Sequence, residues 1–494
     1  MDLFKHYFEQ FGEYGEVVEV NHPIVSVIGI PSARLNEIVL FENGDTGQVI
    51  SLHHDFASVL MFTQTKQKTR TKLSRTGSYV SIPVGKELLG KIINPFGNPL
   101  SSAISIPPIK DRRVIDQPPQ GITNRVKIKK PLTTGTALID IMVPIGKGQR
   151  ELVLGDRKTG KSSFVINTIR NQINEGAIAI YCAVGKKSAD IKQLQAFMAE
   201  DDRSDKMIIV ATTAFDSPGL IHLTPFAGMT LAEYFRDQGK DVLLIFDDML
   251  THAKFYREFA LLAQTFPGRD SYPADVFHVH ARLLERAGMF KHPEYGETSI
   301  TCLPIVETQE GDLTGYIVSN LMSITDGHIF FDSNIFAEGR RPAVNIPVSV
   351  TRVGKQTQDK IQKDINRELS SLFAVYERVE NLSHFGSEMT DSVKSIFSTG
   401  NKIYSFFNQK EGLIIPKEVA LIVFSLIWMH KLNDEAEIEK ARDNLLEACN
   451  EEETRLFLRS LLNVDNFNAL LKNVNDYMAR IEALCKLTNK SPTK

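Results

Sequence analysis

Apolar positions along this chain follow three successive patterns. Up to about Val84 they form short β-rich runs, at 17–20, 24–30, 37–41, 48–52 and 58–62. Turn residues separate the runs, most clearly Glu42-Asn43-Gly44-Asp45, and many short strands at close spacing predict a small β-barrel over 1–84. Over 85–364, strand and helix patterns alternate, and Gly176 ends one helix. Residues 178–184, 207–211 and 242–246 are continuously apolar, as in a sheet covered on both faces; a central parallel α/β domain is expected. Over 365–494, helical spacing dominates. Leu369, Leu372, Phe373 and Tyr376 fall at helical spacing, as do Leu456, Leu458, Leu461 and Leu462, which predicts an α-helical bundle. The run 419–429, broken only by Ser425, predicts a buried helix; a bilayer takes ~20 apolar residues. Leu3, Phe4, Tyr7, Phe8 and Phe11 mark one face of a short helix, expected to pack on the barrel. The tail 488–494 is expected to be disordered.

Bulk composition narrows the class. At 494 residues the chain is too long for one ordinary domain. With 42 % hydrophobic and 24 % charged residues it is of soluble globular type. A net charge of −3 argues against nucleic acid as the main partner. Cys182, Cys302, Cys449 and Cys485 lie far apart among apolar neighbours, which predicts buried free thiols and a reducing compartment. The N-terminus lacks a long apolar core, so no secretory leader is expected. Lys66, Lys68, Arg70 and Lys72 alternate with polar residues, as on a solvated strand face; a docking patch for an acidic partner is the sharper reading.

The chemistry centres on Gly155-Asp156-Arg157-Lys158-Thr159-Gly160-Lys161-Ser162-Ser163. Glycines let the backbone curl so that its N–H groups face a phosphate; the lysine adds charge, and Ser162 can hold magnesium. An apolar strand pattern precedes the motif and a helix start follows, whose N-terminal dipole also favours phosphate. Asp247-Asp248 directly follows the apolar run 242–246. A carboxylate there can hold magnesium through water; the plainer alternative is a pair of loop-capping acids. Hydrolysis also needs a group to orient or deprotonate water, and its natural place is the turn after 178–184. That turn reads Gly185-Lys186-Lys187, and a charged lysine accepts no proton. The chain is thus equipped to bind nucleotide and poorly equipped to split it.

At this point the sequence resembles the α subunit of F-type rotary ATPases, from about Gly15 to Cys485. The matching segments are Leu132-Thr133-Thr134-Gly135, Pro144-Ile145-Gly146-Lys147-Gly148-Gln149-Arg150 and the phosphate loop with its Asp-Arg-Lys-Thr spelling. So are Pro267-Gly268-Arg269, Arg282-Leu283-Leu284-Glu285-Arg286, Glu307-Thr308-Gln309-Glu310-Gly311-Asp312, Ser323-Ile324-Thr325-Asp326-Gly327 and Val348-Ser349-Val350-Thr351-Arg352-Val353-Gly354. The resemblance implies the same three-part fold, with a RecA-like central domain. It implies an alternating hexamer with catalytic β-type subunits around a γ-type shaft, and ATP or ADP with Mg2+ as ligands. It implies a non-catalytic site in this chain. Arg352 matches the arginine that α inserts into the neighbouring catalytic site; from residues alone it could equally be a surface or salt-bridged arginine. Ser323 and Ser349 match serines of the same interface, and Arg341, Pro342 and Gln409 positions near the subunit's own nucleotide.

Four departures stand out. Lys186 replaces the typical Gln of α and the catalytic Glu of β. Phe407 stands where a second Gln is usual. Only Met1 to Glu13 precede the barrel, and the basic run 66–75 is unlike the family. The last two argue against coupling to a membrane ion channel, and the Lys-, Ile-, Asn- and Phe-rich sequence resembles the divergent F-type-like ATPases of mycoplasmas, some of them linked to surface or gliding machinery rather than ATP synthesis, with non-standard proteins expected at the barrel. Membrane association is expected only through the complex, at the cytoplasmic face. A Rho-type or secretion-type hexameric ATPase, the remote alternative, would need a carboxylate after Val184.

Overall fold

The computed structural model describes residues 3–101, 105–200, 203–383 and 391–487. By its internal contacts the chain divides into two units that alternate along the sequence. The first takes 1–127, 147–154 and 173–326, the second 128–146, 155–172 and 327–494.

The first unit begins with α1 (Leu3–Phe11) and six strands, β1 (Tyr14–Asn21), β2 (Ile24–Ile28), β3 (Glu37–Phe41), β4 (Thr46–Leu52), β5 (Ala57–Met61) and β6 (Lys72–Tyr79). They close into a barrel in the order β1-β2-β5-β4-β3-β6. Val17, Val25, Val39, Phe41, Val59 and Leu73 fill its interior. Five strands stand where the apolar runs place them. β6 does not announce itself, because Leu73 is its only aliphatic residue. It closes the barrel by pairing with both β1 and β3. Its buried Arg75 is held by Glu37, Nε to Oε1 at 3.1 Å and an NH2 donor to Oε2 at 3.1 Å. The alternating basic run is therefore not a strand face. Lys66, Lys68 and Arg70 are exposed on the segment before β6, and only Lys72 lies on the strand. Helix α1 packs on β6, with the Arg75 guanidinium 5.5 Å from the Phe11 ring centre and the ring against Gly77.

Two short strands, β7 (Ser81–Pro83) and β9 (Arg112–Val114), pair antiparallel. The central sheet of this unit runs β12 (Glu151–Gly155), β17 (Gly296–Glu307), β15 (Val242–Asp247), β13 (Ile178–Lys186), β14 (Met207–Thr213), β8 (Ile92–Ile93). The pairs from β17 to β8 are parallel, and β16 (Gly288–His292) adds an antiparallel hairpin to β17. Helices α4 (Ser188–Ala199), α5 (Pro218–Asp237), α6 (Met249–Leu262), α7 (Val276–Leu284) and α8 (Tyr316–Ile324) belong to the same unit. Residues 178–184 are buried throughout, as a sheet covered on both faces requires. Gly228 lets α5 lie close on β13: a Cβ there would sit 2.0 Å from the Cys182 Sγ.

The second unit holds the pair β10 (Pro131–Leu132) and β11 (Ile145–Gly146), helices α2 (Ala137–Met142), α3 (Lys161–Asn174) and α9 (Ser333–Ala337), and the antiparallel pair β18 (Gly327–Phe331) and β19 (Val350–Thr351). Seven helices complete it: α10 (Lys360–Ser383), α11 (Asp391–Phe407), α12 (Lys417–Trp428), α13 (Glu435–Ala448), α14 (Glu452–Leu461), α15 (Phe467–Asp476) and α16 (Met478–Cys485). Residues 419–427 of α12 are all buried, so the apolar run is a core helix. The architecture is the expected one: an N-terminal barrel, a central α/β region and a C-terminal helical region. All four cysteines are buried and free. The tail 488–494 lies outside the described residues. Among the described residues no helix is long and apolar enough to cross a membrane.

Candidate functional site

The phosphate loop of the second unit has the backbone its spelling demands. Gly155 sits at φ 148° against Phe331, where a Cβ would come within 2.2 Å of the Phe331 carbonyl oxygen. Gly160 at φ 98° and Lys158 at φ 61° complete the curl. Lys161 is buried and folds back over the loop, its Nζ donating to the Gly155 and Asp156 carbonyls at 2.8 and 2.5 Å. The Thr159 hydroxyl donates to the Asp156 carbonyl at 2.8 Å, and Ser162 is exposed on the first turn of α3. The far end of α3 is fixed by the Leu132–Gly135 segment: Asn171 Nδ2 and Gln172 Nε2 both donate to the Thr133 carbonyl at 2.8 Å. Asn167 accepts from the Gly412 N–H at 3.2 Å.

Gln409 and Arg341 are brought together, with the Gln409 N–H donating to the Arg341 carbonyl at 2.7 Å. Neither side chain is open. The Gln409 amide donates to the Gly135 and Leu413 carbonyls and accepts from the Ala137 N–H at 3.2 Å, so it braces the chain. The Arg341 guanidinium lies over the Phe336 ring and donates to the Phe336 and Arg340 carbonyls, each at 2.8 Å. Arg341 and Pro342 line a cleft of about 550 Å³ together with Arg340, Ser349, Tyr404 and Phe407. Arg340, which the sequence did not single out, lies 4.2 Å from the Tyr404 ring centre.

Arg352 stands exposed on the turn after β19, and no hydrogen bond or ion pair engages it among the described residues. The turn itself is pinned. The Thr351 hydroxyl donates to the Pro144 carbonyl at 2.8 Å and accepts from the Gly354 N–H at 3.1 Å. Gly354 lies flat on Pro144, where a Cβ would sit 1.6 Å from the carbonyl oxygen. A rigid turn thus presents a free guanidinium to solvent. Ser349 accepts from the Phe330 N–H at 3.0 Å and donates to the Asn345 carbonyl at 2.6 Å. In the first unit, the Ser323 hydroxyl donates to the Ser319 carbonyl at 2.8 Å on α8.

The first unit also carries the acids. Asp247 ends β15 and Asp248 caps α6, its carboxylate accepting from the Thr251 N–H at 2.5 Å and the Thr251 hydroxyl at 3.0 Å. The loop-capping alternative is therefore right for Asp248. Asp247 is engaged on both oxygens: Lys186 Nζ is 2.7 Å from Oδ1, and the Tyr181 hydroxyl donates to Oδ2 at 2.6 Å. Burial opposes the charge on Lys186, but Asp247 and then Asp248 outweigh it and hold the ammonium above its usual value. Burial pushes Asp248 up, partly offset by Lys186. The Tyr181 phenol is driven well up, by burial first and by Asp247 second. Tyr181 was missed in the sequence; its one signal is a hydroxyl inside an otherwise apolar strand. Both Asp247 oxygens are thus engaged, one by an internal ammonium and one by a phenol hydroxyl, which is a poor fit to magnesium. Ser162 keeps an open hydroxyl.

Comparison with known proteins agrees with this picture. Residues 135–351 match the family model described as ATP synthase alpha/beta family, nucleotide-binding domain. Residues 358–476 match the ATP synthase alpha/beta chain, C terminal domain. The ATP synthase subunit alpha of Neorickettsia sennetsu is 36 % identical over 97 % of this chain and 94 % of its own length. That of Mycoplasmopsis agalactiae is 39 % identical over 81 % of this chain and 76 % of its own. That of Mycoplasma pneumoniae is 40 % identical over 83 % and 79 %. Matches of this extent, on a phosphate loop shaped as described and on the expected architecture, mean that the chain belongs to the ATP synthase alpha-subunit family.

Proposed function

We propose that this chain is the non-catalytic, nucleotide-binding subunit of an ATP-driven rotary head and lends Arg352 to the catalytic site of a β-type neighbour. The observation that carries the reading is Lys186. Where water activation needs a carboxylate, the chain places an ammonium ion-paired with Asp247. The same residue opposes a Rho-type or secretion-type reading. In this proposal ATP or ADP lies on Gly155, Asp156, Arg157, Lys158, Thr159, Gly160, Lys161, Ser162 and Ser163. Backbone N–H groups and the α3 dipole meet the phosphates, and Lys161 turns from its own loop carbonyls to them. Arg341, Pro342 and Gln409 shape the surroundings of the nucleotide through the chain they brace. Of the two residues expected at magnesium, only Ser162 keeps an open oxygen, so no step is routed through the metal.

Arg352 would offset the charge that develops on the phosphoryl group transferred next door, with Ser323 and Ser349 shaping the interface. The partners are β-type subunits in an alternating hexamer and a γ-type shaft, and the complex sits at the cytoplasmic face of the membrane. We keep 1–84, 85–364 and 365–494 as the functional domains. The test is reconstitution with the β-type partner. Arg352→Ala is expected to lower turnover by ~10³ or more with nucleotide binding by this chain unchanged. The chain alone is expected to be nearly inactive; robust hydrolysis by it alone overturns the reading.

The exposed Lys66, Lys68 and Arg70 favour one refinement, a motor attached through its barrel to an acidic protein and serving surface or gliding machinery rather than ATP synthesis. Purification of the native complex decides it: unfamiliar barrel-bound proteins without an ion channel support it, and a standard stalk and membrane ring exclude it.

A further inference from the structure

We propose that a cleft beside Arg112, Arg113 and Arg236 is an anion site that takes a phosphate dianion, free or as a monoester. All the residues that line it belong to the first unit, so the inference is independent of the nucleotide reading above.

The cleft encloses about 420 Å³. β9 and the segment after it supply Arg112, Arg113, Gln117 and Gln120, and the end of α5 supplies Glu233, Arg236 and Asp237. Its charges do not balance. Glu233 is taken up by Arg286, which donates to both of its oxygens. Asp237 then serves two guanidiniums. Arg113 donates to its Oδ2 at 2.7 Å, and Arg236 donates to its Oδ1 at 2.9 and 2.7 Å. Arg112 meets no acid among the described residues; it donates to the Ser81 hydroxyl at 3.0 Å and to the Ser81 carbonyl at 2.7 Å. Asp116, further along the same segment, pairs with Arg282 instead. Three guanidiniums against one available carboxylate leave a surplus of two positive charges. The C-terminal end of α5 opposes an anion with about half a charge, which the surplus exceeds. The Arg236 side chain is only 3 % exposed, and one of its terminal nitrogens finds no acceptor among the described residues. A buried cation short of counter-charge is costly, and an anion in the cleft offsets that cost. Guanidinium forks match phosphate oxygens two at a time, and the exposed Gln117 and Gln120 amides add neutral donors. Two surplus charges suit a dianion.

The experiment titrates inorganic phosphate into the full chain by calorimetry, at about pH 8, where the ion is doubly charged. The titration is run on the wild type and on Lys161→Ala, which removes the lysine of the phosphate loop. In Lys161→Ala a dissociation constant of about 1 mM or tighter is expected. Adding Arg112→Glu is expected to weaken it about tenfold or more, and Gln117→Glu to weaken it as well. Both positions are exposed, and Arg112 is bonded only to Ser81, so neither change breaks an ion pair. In the wild type the same Arg112-dependent uptake is expected beside any at the phosphate loop. Absence of phosphate binding by Lys161→Ala up to about 10 mM overturns the proposal, and needs no change in the cleft. So does binding that Arg112→Glu leaves unaltered. Glycerol phosphate in the same titration separates the two forms. Tighter Arg112-dependent binding than that of inorganic phosphate supports a monoester, and weaker Arg112-dependent binding supports the free ion.

Discussion

Lys186 and Arg352 show how neighbours decide what a cation does. Lys186 is ion-paired with Asp247 and lies 4.0 Å from Asp248, whereas Arg352, without a partner among the described residues, stands on a pinned turn. The pin depends on Gly354. A methyl group there would strike the Pro144 carbonyl, so Gly354→Ala must displace the turn. It is expected to cost about 1–3 kcal/mol. It should also cut turnover of the reconstituted complex nearly as far as Arg352→Ala. Thermal melting and steady-state hydrolysis measured on the same preparations check both, and full turnover in Gly354→Ala would separate the turn from the guanidinium. None of this was legible in the sequence, where Arg352 was one arginine among many until the surrounding motif singled it out.

Among the elements, α5 and the segment after α7 are joined by a buried ion pair. Arg286 donates to both Glu233 oxygens, at 3.0 and 2.6 Å. It also donates to the Ile115 carbonyl at 2.7 Å and the Thr230 hydroxyl at 2.9 Å. Losing the arginine leaves Glu233 buried without its partner. Arg286→Ala is expected to destabilise the chain by about 3–5 kcal/mol. Replacing both partners with apolar residues should cost far less. Urea unfolding of the two single variants and the double variant measures the difference. The sequence located most elements, because runs such as 178–184 and 419–427 are long and uniform. It did not show β6, whose residues Ser74, Arg75 and Thr76 are buried by the closed barrel and held by long-range bonds rather than by their own hydrophobicity. It also spread the basic run along a strand, when most of that run lies on the segment before it.

For the molecule as a whole, a cluster of two buried histidines, His252 and His280, and the half-buried His222 sets the acid limit. His222 stacks on His252 with ring centres 5.0 Å apart, and His252 Nδ1 meets His280 Nε2 at 3.1 Å. Burial keeps His252 neutral down to about 4. Burial first, and mutual repulsion second, hold His222 and His280 well below their usual value of 6.5. In the unfolded chain all three take up protons as the pH falls through 6.5, before the folded chain does. Their contribution to stability is therefore complete above that value and is lost progressively toward pH 4. The melting temperature is expected to be flat between pH 7 and 8 and to fall steadily from about pH 6.5 to 4. A His252→Asn variant should show a shallower fall; an unchanged profile would place the acid sensitivity elsewhere.

Sequence by itself determined what depends on neighbours in the chain. The glycine spacing of 155–160 dictates a tight backbone curl, the uniform apolar runs dictate covered strands and a core helix, and Gly185-Lys186-Lys187 puts a lysine rather than a carboxylate after the run 178–184. Only the tertiary structure decided what depends on distant partners. It turned the Gln409 amide inward onto Gly135, left Arg352 unpaired among the described residues, and set Lys186 and Tyr181 on the two oxygens of Asp247. A hydrogen bond or ion pair is fixed by separations of a few ångströms between residues tens or hundreds of positions apart, and local pattern carries no record of those distances.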